Sequence, residues 1–209
     1  VLDVPLARRI ARRLIDSFSE RSGLFPHWPV GAKSPFLRRH VACFADFVYP
    51  IQALSLFGRA MKDGQAVDVA CRSADRMCAL QGQAGQWWWH FDVRNGKVIE
   101  QYPVYAVHQD AMAPMALFAV REACGADCSP AVSRGVGWLI APPESEAALV
   151  DKPSGIIWRK VARHEPGRLV RGLQAAASRL HPGLRAPGLE LLFPPGRIDY
   201  ETRPYHMGW

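Results

Sequence analysis

The sequence predicts an all-α domain of stacked helical hairpins with one small β-hairpin inserted near residues 87–102. Three observations carry that expectation. Apolar residues recur at helical spacing over 5–18, 36–62, 67–80 and 104–124, with further helices at 130–140 and 167–180. A frame of Asp, three residues, Pro and an apolar stretch occurs twice, from Asp46 to Leu54 and from Asp110 to Phe118, displaced by 64 residues. Each copy leads to a second helical stretch and then to a tryptophan just after a glycine, Trp87 and Trp158. One two-helix unit cannot bury its apolar face alone, whereas stacked copies can.

The elements follow in order. Residues 5–15, PLARRIARRLI, form a short basic amphipathic helix without a signal-peptide cleavage site. The 36–62 segment reads as one long helix kinked or restarted at Pro50, and Pro114 plays the same part in 104–124. The apolar run from Val41 to Phe57 contains Asp46, Pro50 and Gln52 and is too short and polar to span a membrane. Between Trp87 and Tyr102 the helical spacing gives way to alternation, and Asn95-Gly96 marks a hairpin turn. The arrangement expected is a partial α/α toroid, a single domain over 1–209. Pro204 to Trp209 reads as the start of another helix, and a closed ring needs more hairpins than these, so the chain is expected to be a piece of a larger toroid.

The net charge of +7 comes mostly from arginine, in Arg8-Arg9, Arg12-Arg13, Arg38-Arg39 and Arg159 to Arg185. No nucleic-acid motif accompanies it, which argues against nucleic acid and leaves solvated helix faces, an anionic substrate or peripheral contact with an anionic membrane surface. The five cysteines (43, 71, 78, 124 and 128) include no CxxC pair and no zinc-ligand spacing. They read as reduced core thiols, which suits the cytoplasm. Neither a metal nor a cofactor is expected. A Gly-rich phosphate loop, a GxSxG elbow and HExxH are all missing, which argues against nucleotide hydrolysis and metalloprotease chemistry.

Reactive side chains concentrate in the hairpin and the helix after it: His90, Asp92, Glu100, Tyr102, Tyr105, His108 and Asp110. On a strand His90 and Asp92 share one face, opposite Trp89 and Phe91. On a helix His108 lies one turn from Tyr105, with Asp110 beside it where the dipole favours anions. Histidine near a carboxylate suits proton transfer near neutral pH, and tyrosine can donate a proton or hold an oxyanion. The alternative is structural: Asp110 caps its helix and His108 bonds a loop carbonyl. The last stretch, Arg203-Pro-Tyr205-His206, repeats the same vocabulary and would meet the first cluster at a common mouth. The catalytic candidates are therefore His108, Tyr105, Asp110 and His206. Substrate would be held by Trp88 as a stacking plate, by His90, Asp92, Tyr102 and Tyr205, and by Arg203 on an anion. His27, His40, His164 and His181 read as structural or solvated.

Two resemblances bear on these residues. Gln81-Gly-Gln-Ala-Gly-Gln-Trp87 resembles the QW repeat of terpenoid cyclases and protein prenyltransferases, and Arg134-Gly-Val-Gly-Trp138 with Gly155-Ile-Ile-Trp158 is similar but lacks the Gln. The resemblance covers about residues 36–160 and implies the α/α toroid. The acidic Asp-x-Asp-Asp motif and the flanking pattern of a prenyltransferase zinc triad are missing. Tyr102 to Met112, followed by Pro114-Met-Ala-Leu, is similar to the active-site rim of carbohydrate-processing toroids, and the wording as a whole to uncharacterised bacterial proteins associated with polysaccharide biosynthesis. The first expectation is an enzyme of epimerase, lyase or hydrolase type acting by acid–base chemistry on a bacterial polysaccharide or lipid-linked glycan. The alternatives are a terpenoid-cyclase or prenyltransferase-like enzyme and a non-catalytic toroid that binds a glycan or a protein.

Overall fold

A computed structural model describes residues 3–29, 31–166 and 168–203. Helix α1 (Val4–Ser17) begins where the Asp3 carboxylate accepts the Leu6 N–H at 3.0 Å. Its arginines face solvent, while Ala11, Leu14 and Ile15 pack with Phe25, Leu54 and Val69. Strand β1 (Val41–Cys43) then leads into α2 (Ala45–Met61) and α3 (Gly64–Ala79). Lys62 takes a left-handed conformation, φ 54°, and the Asp63 carboxylate accepts the Ala66 N–H, so two residues reverse the chain. The helices bury matching stripes, Phe47, Ile51 and Leu54 on α2 and Val69, Ala70 and Met77 on α3. Gly58 lets them approach closely, since a Cβ there would lie 2.6 Å from Val67 Cγ2.

After α3 come β2 (His90–Asp92) and β3 (Val98–Glu100), joined through Gly96 at φ 70°, whose N–H donates to the Asp92 carbonyl at 2.7 Å. Strand β1 pairs with β2, Cys43 opposite His90, to give an antiparallel sheet in the order β1-β2-β3. The pattern then recurs. Strand β4 (Val104–Tyr105) precedes a π turn at His108–Met112, α4 (Ala113–Cys124) and α5 (Ser129–Ile140). A short hairpin, β5 (Val150–Asp151) and β6 (Ile156–Ile157), is followed by β7 (Lys160–Arg163). Helices α6 (Leu169–Leu180) and α7 (Leu189–Leu192) lead to β8 (Pro195–Asp199), and the second sheet runs β4-β7-β8. In both copies a strand before the long helix pairs with a strand after the helical hairpin: β1 with β2, and β4 with β7. Helices α2 and α4 pack on each other, and Phe44, Phe47, Trp87, Phe91, Leu117 and Trp138 fill the space between the two units.

This corrects the expected all-α toroid. The fold is mixed: seven helices and three small antiparallel sheets among the described residues. Residues 36–44, expected as the start of a long helix, form a 3-10 turn at Phe36–Arg38 and then β1, because Val41 to Cys43 find ladder partners in β2. Residues 104–105, expected to be helical, form β4 against β7. The hairpin turning at Asn95-Gly96 supplies the central and one edge strand of a sheet whose other edge, β1, lies before α2, and is not an insert on a helical ring. Among the described residues no helix is long and apolar enough to cross a membrane.

Candidate functional site

Trp89 and His90 are consecutive, and the extended backbone sends their rings to different cavities. Trp89 is half-buried and stacks on His108, with centroids 5.6 Å apart and planes 12° from parallel. Tyr105 completes the group at 4.9 Å from Trp89 and 5.2 Å from His108, and Phe44 backs the imidazole at 4.5 Å. Trp89, Tyr105 and His108, with Tyr49, Val107, Met112 and Arg159, line an open cavity of about 460 Å³. The π turn that positions His108 has a local cause. Pro114 has no N–H to give to the preceding turn, and the Ala113 N–H reaches back five residues to the His108 carbonyl.

A second cavity, of about 340 Å³, adjoins the first through Tyr105 and Arg159. Tyr102, Pro103 and Tyr105 form one wall. Around them stand six cations, Arg159, Lys160, Arg163, Arg168, Arg171 and Arg197, against two carboxylates, Glu165 and Asp199. Strand β7 supplies Lys160 and Arg163, which explains the clustering: its neighbours β4 and β8 bring Tyr105 and Asp199 alongside. Lys160 pairs with Asp199 at 2.7 Å, Arg159 with Glu201 at 2.5 Å, and the buried Arg163 with the buried Glu100 at 3.1 Å. Among the described residues Arg168, Arg171 and Arg197 have no carboxylate within ion-pair distance. Burial, with Arg168 and Arg38 nearby, pulls the Arg171 guanidinium below its ordinary value. Arg159 and Lys160 lie 5.7 and 5.6 Å from the Tyr105 ring centre.

The third cavity, of about 270 Å³, lies on the His90 side and is lined by His27, Trp28, Arg38, Cys43 and His90 among others. Burial first, then Arg38, pulls the His90 pKa down to about 3, so its imidazole is neutral. Burial and the Asp46 carboxylate push the Cys43 thiol up to about 12.

The structure brings Tyr105 and His108 together and separates them from His90 and Asp92. Asp92 is fully buried in an ion pair with Arg94 at 2.7 Å and serves the hairpin turn. Trp88 is buried edge-on against Tyr102, so the ring offered to a ligand belongs to Trp89. The Tyr102 hydroxyl donates to Glu144 at 2.9 Å, and burial pushes its pKa up. Asp110, in the π turn, has Oδ1 buried without a hydrogen-bond partner among the described residues, and burial raises its pKa to about 6. Arg203 pairs with Glu201, whose other oxygen holds Arg159, so this end of the chain does reach the cavity wall. Tyr205 and His206 lie outside the described residues. Sequence reasoning missed the cations of β7 and α6, which looked like ordinary surface charge, and missed His27, whose partner Asp46 is 19 residues away. No protein-family model, curated protein or solved structure matches the chain.

Proposed function

We propose that the chain is an enzyme acting by proton transfer on an acidic glycan, with Tyr105 and His108 as proton carriers. The observation that supports this is the junction at Tyr105 of an aromatic cavity with one lined by six cations. An aromatic plate suits a sugar ring, and clustered guanidinium groups suit its carboxylate. In a uronic acid the proton next to the carboxylate leaves to a base, and its electron pair moves onto the carboxylate as an enediolate. Fixed cations stabilise that charge where it develops. Expulsion of the neighbouring C–O substituent gives an unsaturated sugar, the lyase outcome. Return of a proton to the opposite ring face gives the epimer. Arg168, Arg171 and Arg197 hold the anion, Trp89 carries the ring, and Arg203 acts at a distance through Glu201 and Arg159. The cytoplasm suits a chain whose five thiols are unbonded.

A second reading has support from the same junction: the cations would also hold a diphosphate, and Tyr49, Trp89 and Met112 an isoprenoid chain, as in a prenyltransferase-like enzyme or one using a lipid-linked sugar. One experiment separates the readings. Hexuronate oligosaccharides are incubated with the protein in heavy water, and deuterium uptake and unsaturated product are followed. The first reading expects exchange that falls about a hundredfold in Tyr105→Phe with the fold intact. Arg171→Ala should weaken substrate binding about tenfold and flatten its salt dependence. Binding without exchange would make the chain a glycan-binding module. Binding of a prenyl diphosphate but of no uronate would sink the first reading in favour of the second.

A further inference from the structure

The cavity on the His90 side of β2 takes no part in that chemistry, and its donors are of a different kind. We propose that His27 Nδ1, Cys43 Sγ and a carboxylate oxygen of Asp46 bind a zinc ion, with a fourth position open to the cavity. The three donor atoms already lie within 4.8 Å of one another. Zinc bonds of about 2.0–2.3 Å at tetrahedral angles place donors roughly 3.3–3.8 Å apart, so small side-chain adjustments close the set. A thiolate and an imidazole select zinc over magnesium or calcium, which prefer oxygen alone.

The donors are also held as ligands need to be. Cys43 is fixed in β1 opposite His90, and Asp46 sits in the first turn of α2. Asp46 Oδ2 accepts the Cys43 backbone N–H at 2.7 Å, which orients the carboxylate while Oδ1 stays available to a metal. The Trp28 ring meets His27 edge-on at 5.2 Å. His27 Nδ1 lies 3.0 Å from Asp46 Oδ2 and 3.2 Å from Oδ1, a contact in which a proton occupies the place of the cation. On binding, zinc displaces the Cys43 thiol proton, and the His27 proton resides on Nε2. Thiolate and carboxylate then balance the charge of the ion. The guanidinium of Arg38, 3.5 Å from His90 Nε2, stands on the same wall, where it favours an anionic ligand at the open position. The remaining cysteines lie beside one another in pairs, Cys71 with Cys124 and Cys78 with Cys128. That leaves Cys43 as the odd thiol, and it faces a histidine and a carboxylate.

Cobalt titration of the purified chain tests this, because a cobalt–thiolate bond adds a near-ultraviolet charge-transfer band that nitrogen and oxygen ligands do not. About one cobalt should bind per chain with that band, and zinc should displace it. Cys43→Ser should abolish the band. His27→Gln, at an exposed position that leaves the core intact, should weaken binding at least tenfold. The proposal is overturned by a wild-type chain that shows no band. It is equally overturned by a band that persists in Cys43→Ser, which would assign the metal to the other thiols, or by an affinity unchanged in His27→Gln.

Discussion

Asp46 and Asp110 hold the same place in two copies of one structural unit, 64 residues apart, yet they live under opposite conditions. Asp46 opens a regular α-helix and accepts a backbone N–H at 2.7 Å and a histidine at 3.0 Å. Asp110 lies in a π turn, where Oδ1 is buried without a hydrogen-bond partner among the described residues. Burial alone accounts for its raised pKa, about 6. The sequence frame is shared, and the winding of the following turn decides what the carboxylate experiences. At this position the unsatisfied carboxylate therefore sits in the second copy, close to the aromatic cavity, and its twin Asp46 is satisfied. The buried ion pairs follow the same division. Asp92 and Arg94 of the first copy are two residues apart, while Glu100 and Arg163 join the first sheet to the second across 63.

That long-range pair carries the largest expected effect. Arg163→Met leaves Glu100 charged and buried without its partner, which should cost about 3–5 kcal/mol of stability in urea unfolding at neutral pH. Burial already raises the Glu100 pKa in spite of Arg163. In the variant that pKa rises further, so the loss should shrink as acid protonates the group. Adding Glu100→Gln, which keeps an acceptor for the Tyr102 N–H at 2.9 Å, should recover most of the deficit. A small loss that ignores pH would mean that the two sheets are not joined through this pair.

Helices and one turn were legible in the sequence, whereas the sheets that overturn the all-α expectation were not, for a specific reason. The helices at 64–79, 113–124 and 129–140 have apolar stripes long enough to set a period, and Asn95-Gly96 has the chemistry of a tight turn. Strands of two to four residues, such as Val41–Cys43 and Val104–Tyr105, are too short to show alternation, so their partners, 47 to 51 and 55 to 57 residues away, define them. Tyr105 and His108 could be read as a pair because they lie three residues apart. Arg159 and Arg171 could not be attached to them, since only the pairing of β4 with β7 and the return of α6 bring those charges to the cavity. Trp88 and Trp89 could not be told apart either: which of two adjacent rings faces outward depends on a register that the sequence leaves open.

Asp110→Asn gives the next effect, with a sign that depends on pH. The folded pKa of about 6 lies above the ordinary 3.8, so folding favours the protonated form. That advantage is complete below about pH 4 and is lost as pH rises through 6, above which the fold carries a buried charge. Asparagine removes the charge. The variant should be more stable than the wild type by roughly 1–3 kcal/mol at pH 7, and the difference should vanish near pH 4. Thermal unfolding of both proteins across that range checks it. A variant that is less stable at pH 7 would show that the Asp110 charge has a partner in solution.

The smallest effect is the one that makes the comparison sharp, because the same residue type in the twin position should respond with the opposite sign. Asp46→Ala removes the acceptor of the Cys43 N–H and a favourable charge in the first turn of α2. Losing this hydrogen bond and the first-turn charge costs about 0.5–2 kcal/mol. Asp46→Asn keeps an acceptor and should cost only a few tenths of that scale. Hydrogen exchange at the Cys43 amide should accelerate in Asp46→Ala and stay near the wild-type rate in Asp110→Asn, since the two carboxylates serve different backbones. If removing either charge moves stability in the same direction, the π turn is not what separates the two copies. The contrast between them would then have to be sought in the charges of β7 and α6 that only the second copy faces.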